Sequence, residues 1–170
     1  AAFGGGTLRD LLLNVPVFWV LDFNFVWVAI AASLLAFVLE RYLRAEGALT
    51  AILYLDAFGI ALFGVQAIDK ALLLEYSAPV AVVMATLTAI GGGLIRDVLA
   101  KRENLLLSHE IYVSTIIAGS LVYLVLLGIS GKTLLTSIAG VGFTFAFRAL
   151  AIYRHWQMPG WLRLRSHFNG

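Results

Sequence analysis

Two copies of one short pattern constrain this chain more than anything else in it. Gly91-Gly92-Gly93-Leu94-Ile95-Arg96-Asp97-Val98-Leu99 lies inside an apolar run, and Gly4-Gly5-Gly6-Thr7-Leu8-Arg9-Asp10-Leu11-Leu12 stands near the start. The two are 87 residues apart, and the same interval relates Ala31-Ala32-Ser33-Leu34 to Ala118-Gly119-Ser120-Leu121. A fixed interval held this far beyond the motif is the signature of an internal repeat. Three glycines in a row disfavour a helix interior by about 1 kcal/mol each against alanine. An Arg and an Asp near the centre of a bilayer add roughly 2.5–3.5 kcal/mol apiece. A chain that carries this arrangement twice uses it for something.

The surroundings of the motif set the class. Hydrophobic residues make up 61% of the 170, charged residues only 13%, and mean hydropathy is +0.93, against about 25% charge in soluble domains. The chain reads as an integral membrane protein. There is no cysteine, which excludes disulfides and cysteine metal sites. The net charge of +2 is spread between apolar runs, so no nucleic-acid surface is expected and the positive-inside rule explains the basic residues better. His109, His155 and His167 stand alone near the ends of these runs, and no metal site is expected. A phosphate loop would need Lys-Ser/Thr after the glycines, and no nucleophile–base pair or HExxH is present. The chain is expected not to be an enzyme and to need no cofactor.

The spans follow from the apolar runs. Phe23 to Leu39, Ala51 to Ile68, Ala78 to about Ala100, Glu110 to Ile129 and Thr133 to Tyr153 can each cross roughly 30 Å of hydrocarbon. The stretch from Gly4 to Leu12 reads as the remainder of an interrupted span. In the second copy about 40 residues precede the glycines, so about 35 to 40 residues, including a first helix, are expected to be missing ahead of Ala1. The expected divisions are 1–44 for the rest of the first repeat, 50–129 for the second, 132–153 for an additional helix and 154–170 for a basic tail. Arg41, Arg44, Lys101, Arg102, Arg154, Arg163 and Arg165 fall on one side and only Lys70 and Lys132 on the other, which predicts a cytoplasmic C-terminus. Three helices per repeat force the copies into opposite orientations, the inverted-repeat plan. The expected fold is all-α: two inverted three-helix repeats plus a seventh helix, with the second and fifth helices broken at their glycines.

Several polar residues then acquire depth. Arg96 lies roughly 7–8 Å inside the cytoplasmic boundary and Arg148 roughly 9 Å inside it, with Asp56 and Asp97 at similar depth. Neighbouring helix positions diverge, so Arg96 is expected to pair with Asp56 rather than with Asp97. Arg9 and Asp10 fall in the outer half, with partners expected on the missing helix. These charges either line a pathway or lock helices together. The glycines either break or kink the helices and turn carbonyls toward a lumen, or let helices pack closely. Thr136, Gly140, Thr144 and Arg148 form a stripe at i+4 spacing that either faces water or satisfies neighbouring groups.

Taken together, GGGTLRDLLL followed by VFWV, and TAIGGGLIRDVLA followed by EIYV, resemble the duplicated motifs of the prokaryotic trimeric intracellular cation (TRIC) channel family. That family is also catalogued as glycine-transporter-like. The resemblance covers nearly all of the chain to about Tyr153. It implies a homotrimer in the bacterial or archaeal cell membrane, in contact with lipid, with one pore per subunit passing K⁺ and Na⁺. It further implies that Gly4, Gly5, Gly6, Gly91, Gly92 and Gly93 are the pore kinks and that Arg9, Asp10, Arg96 and Asp97 are their polar neighbours. Asp56, Thr144 and Arg148 join them as pore or gating candidates on the reading above. The alternatives are a secondary transporter of a small zwitterion such as glycine, and a membrane scaffold that moves nothing.

Overall fold

A computed structural model of the chain describes residues 3–43, 48–99, 111–131 and 134–154. Within them lie seven helices: α1 (Gly4–Leu12), α2 (Phe18–Leu21), α3 (Asn24–Leu43), α4 (Ala48–Leu73), α5 (Ala78–Leu99), α6 (Ile111–Ser130) and α7 (Leu134–Tyr153). By length and composition alone, Ala78–Ile95, Val113–Ser130 and Leu134–Tyr153 can cross a membrane, and Asn24–Val38 is a shorter apolar helix.

The exterior is greasy and the interior is made of small residues, the reverse of a soluble bundle. Trp27, Phe37, Leu55, Val98, Ile129 and Leu135 are exposed, whereas Ala57, Ala61, Ala67, Ala71, Ala81 and Ala85 have no exposed surface. In hydrocarbon, outward apolar side chains cost nothing, so helix association rests on close contact of small residues. On α4 the buried positions Ala57, Ala61, Gly64, Ile68 and Ala71 recur at spacings of four and three. On α5 they are Ala81, Ala85, Thr88 and Gly92. Val65, Ala67, Ile68 and Ala71 of α4 form one cluster with Ala81 and Ala85 of α5, and Tyr123 of α6 closes it.

The helices α6 and α7 fit by the same logic. A Cβ at Gly119 would run into the Thr144 side chain, and one at Gly140 into the Tyr123 ring. The i+4 stripe of α7 is its buried face: Thr136, Gly140, Thr144, Arg148 and Ala151 all lie inside. Thr144 Oγ1 donates to the Gly140 carbonyl at 2.9 Å, and Thr136 Oγ1 donates to the Gly131 carbonyl at 2.9 Å. Both hydroxyls are thus met by main-chain oxygens in the turn before them.

Two helices end alike. In α1 the Val15 N–H reaches the Asp10 carbonyl and the Asn14 N–H the Leu11 carbonyl; in α4 Tyr76 reaches Ala71 and Glu75 reaches Leu72. This is the Schellman arrangement, which requires a left-handed residue after the helix. Asn14 (φ 53°) and Glu75 (φ 62°) occupy that position.

The candidate site at the glycine crossing

The glycine triplets meet. A Cβ on Gly4 would lie 3.1 Å from the Gly92 Cα, and one on Gly91 would lie 3.2 Å from the Gly5 Cα. A Cβ on Gly5 would overlap the Thr88 carbonyl. As α1 advances from Gly4 to Leu8, its contacts on α5 retreat from Ile95 to Gly91, so the helices cross in antiparallel sense. The 87-residue interval converts Gly4–Gly92 into Gly91–Gly5, and Gly4–Ile95 into Gly91–Leu8, and all four contacts are present. Contacts that exchange in this way define a local two-fold axis. It passes between the triplets, and it is the inverted repeat seen directly.

The glycines therefore act through closeness. The helix is not interrupted at Gly91–Gly93: α5 is continuous from Ala78 to Leu99, and Gly4–Gly6 form the first turn of α1. A helix keeps its hydrogen bonds through glycine. What the missing Cβ atoms permit is backbone against backbone, where any side chain would hold the helices apart. Gly6 serves a different neighbour. The ring of Phe18 lies where its Cβ would be, 2.7 Å from the nearest ring carbon, so α2 folds back onto α1. Trp19 Nε1 donates to Thr7 Oγ1 at 3.0 Å and pins the same return.

That return completes a buried ionic cluster just beyond the crossing. Asp10 has no exposed surface and Arg9 is 7% exposed. Arg9 Nε donates to Asp10 Oδ1 at 2.8 Å, Lys70 Nζ donates to the same oxygen at 2.7 Å, and the Phe18 N–H donates to Oδ2 at 2.9 Å. A carboxylate in a low-dielectric interior is tolerated only when paired and hydrogen-bonded, and here both oxygens are met. Asp10 is thereby the junction of three elements: α1 itself, the start of α2 and the end of α4. The Lys70 side chain keeps 30% of its surface exposed, so the cluster opens outward along the lysine stem.

Arg9 and Asp10 were expected to find their partners on a preceding helix, and the partners seen lie within this chain. Arg9 and Asp10 pair with each other although they are consecutive, because the long guanidinium stem bends back where α1 is about to end. Partners for Asp10 lie on α4 and α2, within the chain itself. Sequence reading used Lys70 for the charge balance across the membrane, and no signal in the sequence links it to a residue 60 positions away.

The other candidates lie elsewhere. Asp56 is exposed in the first half of α4. The side chains of Arg96 and Asp97 lie outside the described residues, so the expected Arg96–Asp56 pair does as well. Thr144 and Arg148 are buried on α7, Thr144 against Gly119. An open cleft of about 400 Å³ beside the crossing is lined by Phe3, Leu8, Trp19, Val26 and Ile95 among others. Apart from Thr7 and the Trp19 indole N–H its lining is apolar, separate in character from the Asp10 cluster.

A polytopic membrane protein built as an inverted repeat, its halves crossing at paired glycines, is the class that fold and site define. A profile of the family described as "Glycine transporter" matches residues 1–41 and 53–128. Among curated relatives, a UPF0126 membrane protein of Vibrio cholerae is 36% identical over 93% of this chain and 66% of its own length. The UPF0126 inner membrane protein YadS of Escherichia coli is 38% identical over 93% of this chain and 77% of its own. A solved structure described under conductance through TRIC cation channels is 31% identical, with TM-score 0.82 over 92% of this chain and 77% of that one. The Rhodobacter sphaeroides orthologue of the TRIC trimeric intracellular cation channel is 30% identical, with TM-score 0.81 over 90% and 78%. The chain belongs to the prokaryotic TRIC family, the group that the profile names for glycine transport. It spans just under two thirds of the Vibrio relative's length.

Proposed function

We propose that the chain is a subunit of a passive monovalent cation channel, with K⁺ and Na⁺ as permeant ions and one pathway per subunit beside the crossing of α1 and α5. The observation that carries this reading is the Asp10 cluster. A fully buried carboxylate inside an apolar helix bundle is expensive, and such groups mark ion pathways. Here the carboxylate is held by an ammonium that is itself part-exposed, a covalently tethered cation in the place a free one would take. The likeness to TRIC cation channels supports the same reading. So does the name of the Rhodobacter orthologue for assembly as a homotrimer. The distribution of Lys and Arg supports a cytoplasmic C-terminus.

A second reading has its own observation. The family profile is described for glycine transport, and the adjacent Arg9 and Asp10 present one charge for each end of a zwitterion. Purified full-length protein in liposomes, assayed for K⁺ and radiolabelled glycine in parallel, separates the two. Fast, non-saturating K⁺ flux without glycine uptake supports the channel. Saturable glycine uptake with little K⁺ leak replaces it with the transporter, and neither flux from folded protein leaves the scaffold.

A further inference from the structure

The two copies of the repeat agree about one face of their third helix and differ about the other. Under the 87-residue interval α3 corresponds to α6. Ile30, Leu34 and Val38 are exposed on α3, and their counterparts Ile117, Leu121 and Val125 are exposed on α6. On the other side Thr115, Gly119 and Tyr123 of α6 are buried, while their counterparts Val28, Ala32 and Ala36 are exposed. Val28 is 67% exposed and Thr115 is not exposed at all. In the second copy α7 covers this face. The atoms nearest a Cβ on Gly119 all belong to Thr144, and the Tyr123 ring fills the space above Gly140.

The seventh helix stands outside the repeat, so no counterpart of α7 serves the first copy. A helix completing that copy corresponds to α4, and α4 meets α6 at Tyr123, through Asp69, one turn away from Gly119. The seat at Ala32 therefore stays open within one seven-helix subunit. In hydrocarbon, small residues on such a face draw helices together by close contact, and Ala32 and Ala36 stand one turn apart. The neighbouring Ser33 hydroxyl donates to the Ala29 carbonyl at 2.7 Å, so that hydroxyl is satisfied without water. We propose that the face of α3 bearing Val28, Ala32 and Ala36 is a subunit interface, covered by a second copy of this chain as α7 covers α6. A three-fold ring closes through heterologous contacts. Every subunit then offers one patch to a different patch of its neighbour, and this face fits that place. This deepens the homotrimer reading and rests on it.

The test places a photoreactive diazirine amino acid at Ala32 or, on the opposite face of the helix, at Leu34 of full-length protein in liposomes. After irradiation, gel electrophoresis and mass spectrometry identify what each probe has joined. The probe at Ala32 is expected to give several-fold more subunit–subunit adduct than the probe at Leu34, whose adducts should be lipid. Adducts within one subunit, or lipid adducts alone, from Ala32 overturn the proposal. Ala32→Trp wedges the face apart and is expected to shift the protein in detergent from trimer to monomer by light scattering. Leu34→Trp should leave the trimer intact. An intact trimer in Ala32→Trp overturns the proposal as well. Wild-type protein in the same measurement separates the two readings. A wild-type monomer removes the homotrimer, while a wild-type trimer with no adduct between subunits at Ala32 removes only the α3 interface.

Discussion

Gly4 of α1 and Gly92 of α5 meet at main-chain distance, and the repeat duplicates the contact as Gly91 on Gly5. Each copy of the motif is thus both the knob and the hole for the other. Backbone packed on backbone has no side chain that can turn aside, so the crossing tolerates no added atom.

Gly5→Ala tests that directly, because its Cβ would overlap the Thr88 carbonyl. Overpacking of this kind costs about 1–3 kcal/mol, and a rigid main-chain obstacle places Gly5 at the upper end. Gly64→Ala is the control: it lies on the α4 seam with nothing within 4 Å of its Cβ, and alanine favours a helix by about 1 kcal/mol. Thermal unfolding in detergent should show a clear loss for the first and none for the second. Equal losses would remove close approach as the reason for these glycines.

The ionic cluster makes opposite demands of its two sides. Asp10→Asn keeps an acceptor for the Phe18 N–H but leaves Arg9 and Lys70 facing no negative charge. On the channel reading, K⁺ flux in liposomes should fall by about an order of magnitude, roughly 1.4 kcal/mol at the barrier. Lys70→Gln uncovers the carboxylate, and flux should rise severalfold. A fall in both variants would mean that the cluster only holds α1 to α4.

Glu75 sits at φ 62° in the cap that ends α4. The left-handed conformation costs a residue with a Cβ roughly 1–2 kcal/mol, and glycine escapes it. Glu75→Gly should therefore stabilise the protein by about 1 kcal/mol, read as a higher unfolding temperature. Asn14, which shares the conformation, tolerates it better, and Asn14→Gly should bring a smaller gain. The reverse order would show that the Glu75 side chain contributes more than its backbone strain costs.

Along α7, Gly140 and Gly142 differ only in what they face. A Cβ at Gly140 would enter the Tyr123 ring, while Gly142 is open. Gly140→Ala should lower the unfolding temperature by driving a methyl group into that ring. Gly142→Ala should not.

The fold was legible because bilayer chemistry writes long apolar runs, and because the 87-residue interval reveals inversion once each unit holds three helices. The buried face of α7 was equally open to reading, since Thr136, Gly140, Thr144 and Arg148 recur at one helical spacing. The cluster was only half legible. Arg9 and Asp10 stand out by their charge in an apolar segment, but Lys70 resembles any lysine at a membrane boundary, and only tertiary packing carries it to Asp10. Tyr123 sits in an apolar run where an aromatic residue facing lipid would look the same. The effect of the glycines was ambiguous because a kink and a close contact need the same residue, and only the neighbouring helix distinguishes them.

The two-fold relation has an electrical consequence. At the crossing the two faces of the membrane are structurally equivalent, but the residue that corresponds to Tyr123 under the 87-residue interval is Ala36. The phenol and its hold on Asp69 thus exist in one half only. On the channel reading, a symmetric frame whose two halves carry different side chains rectifies: current carried inward and current carried outward at equal and opposite voltage should differ in size.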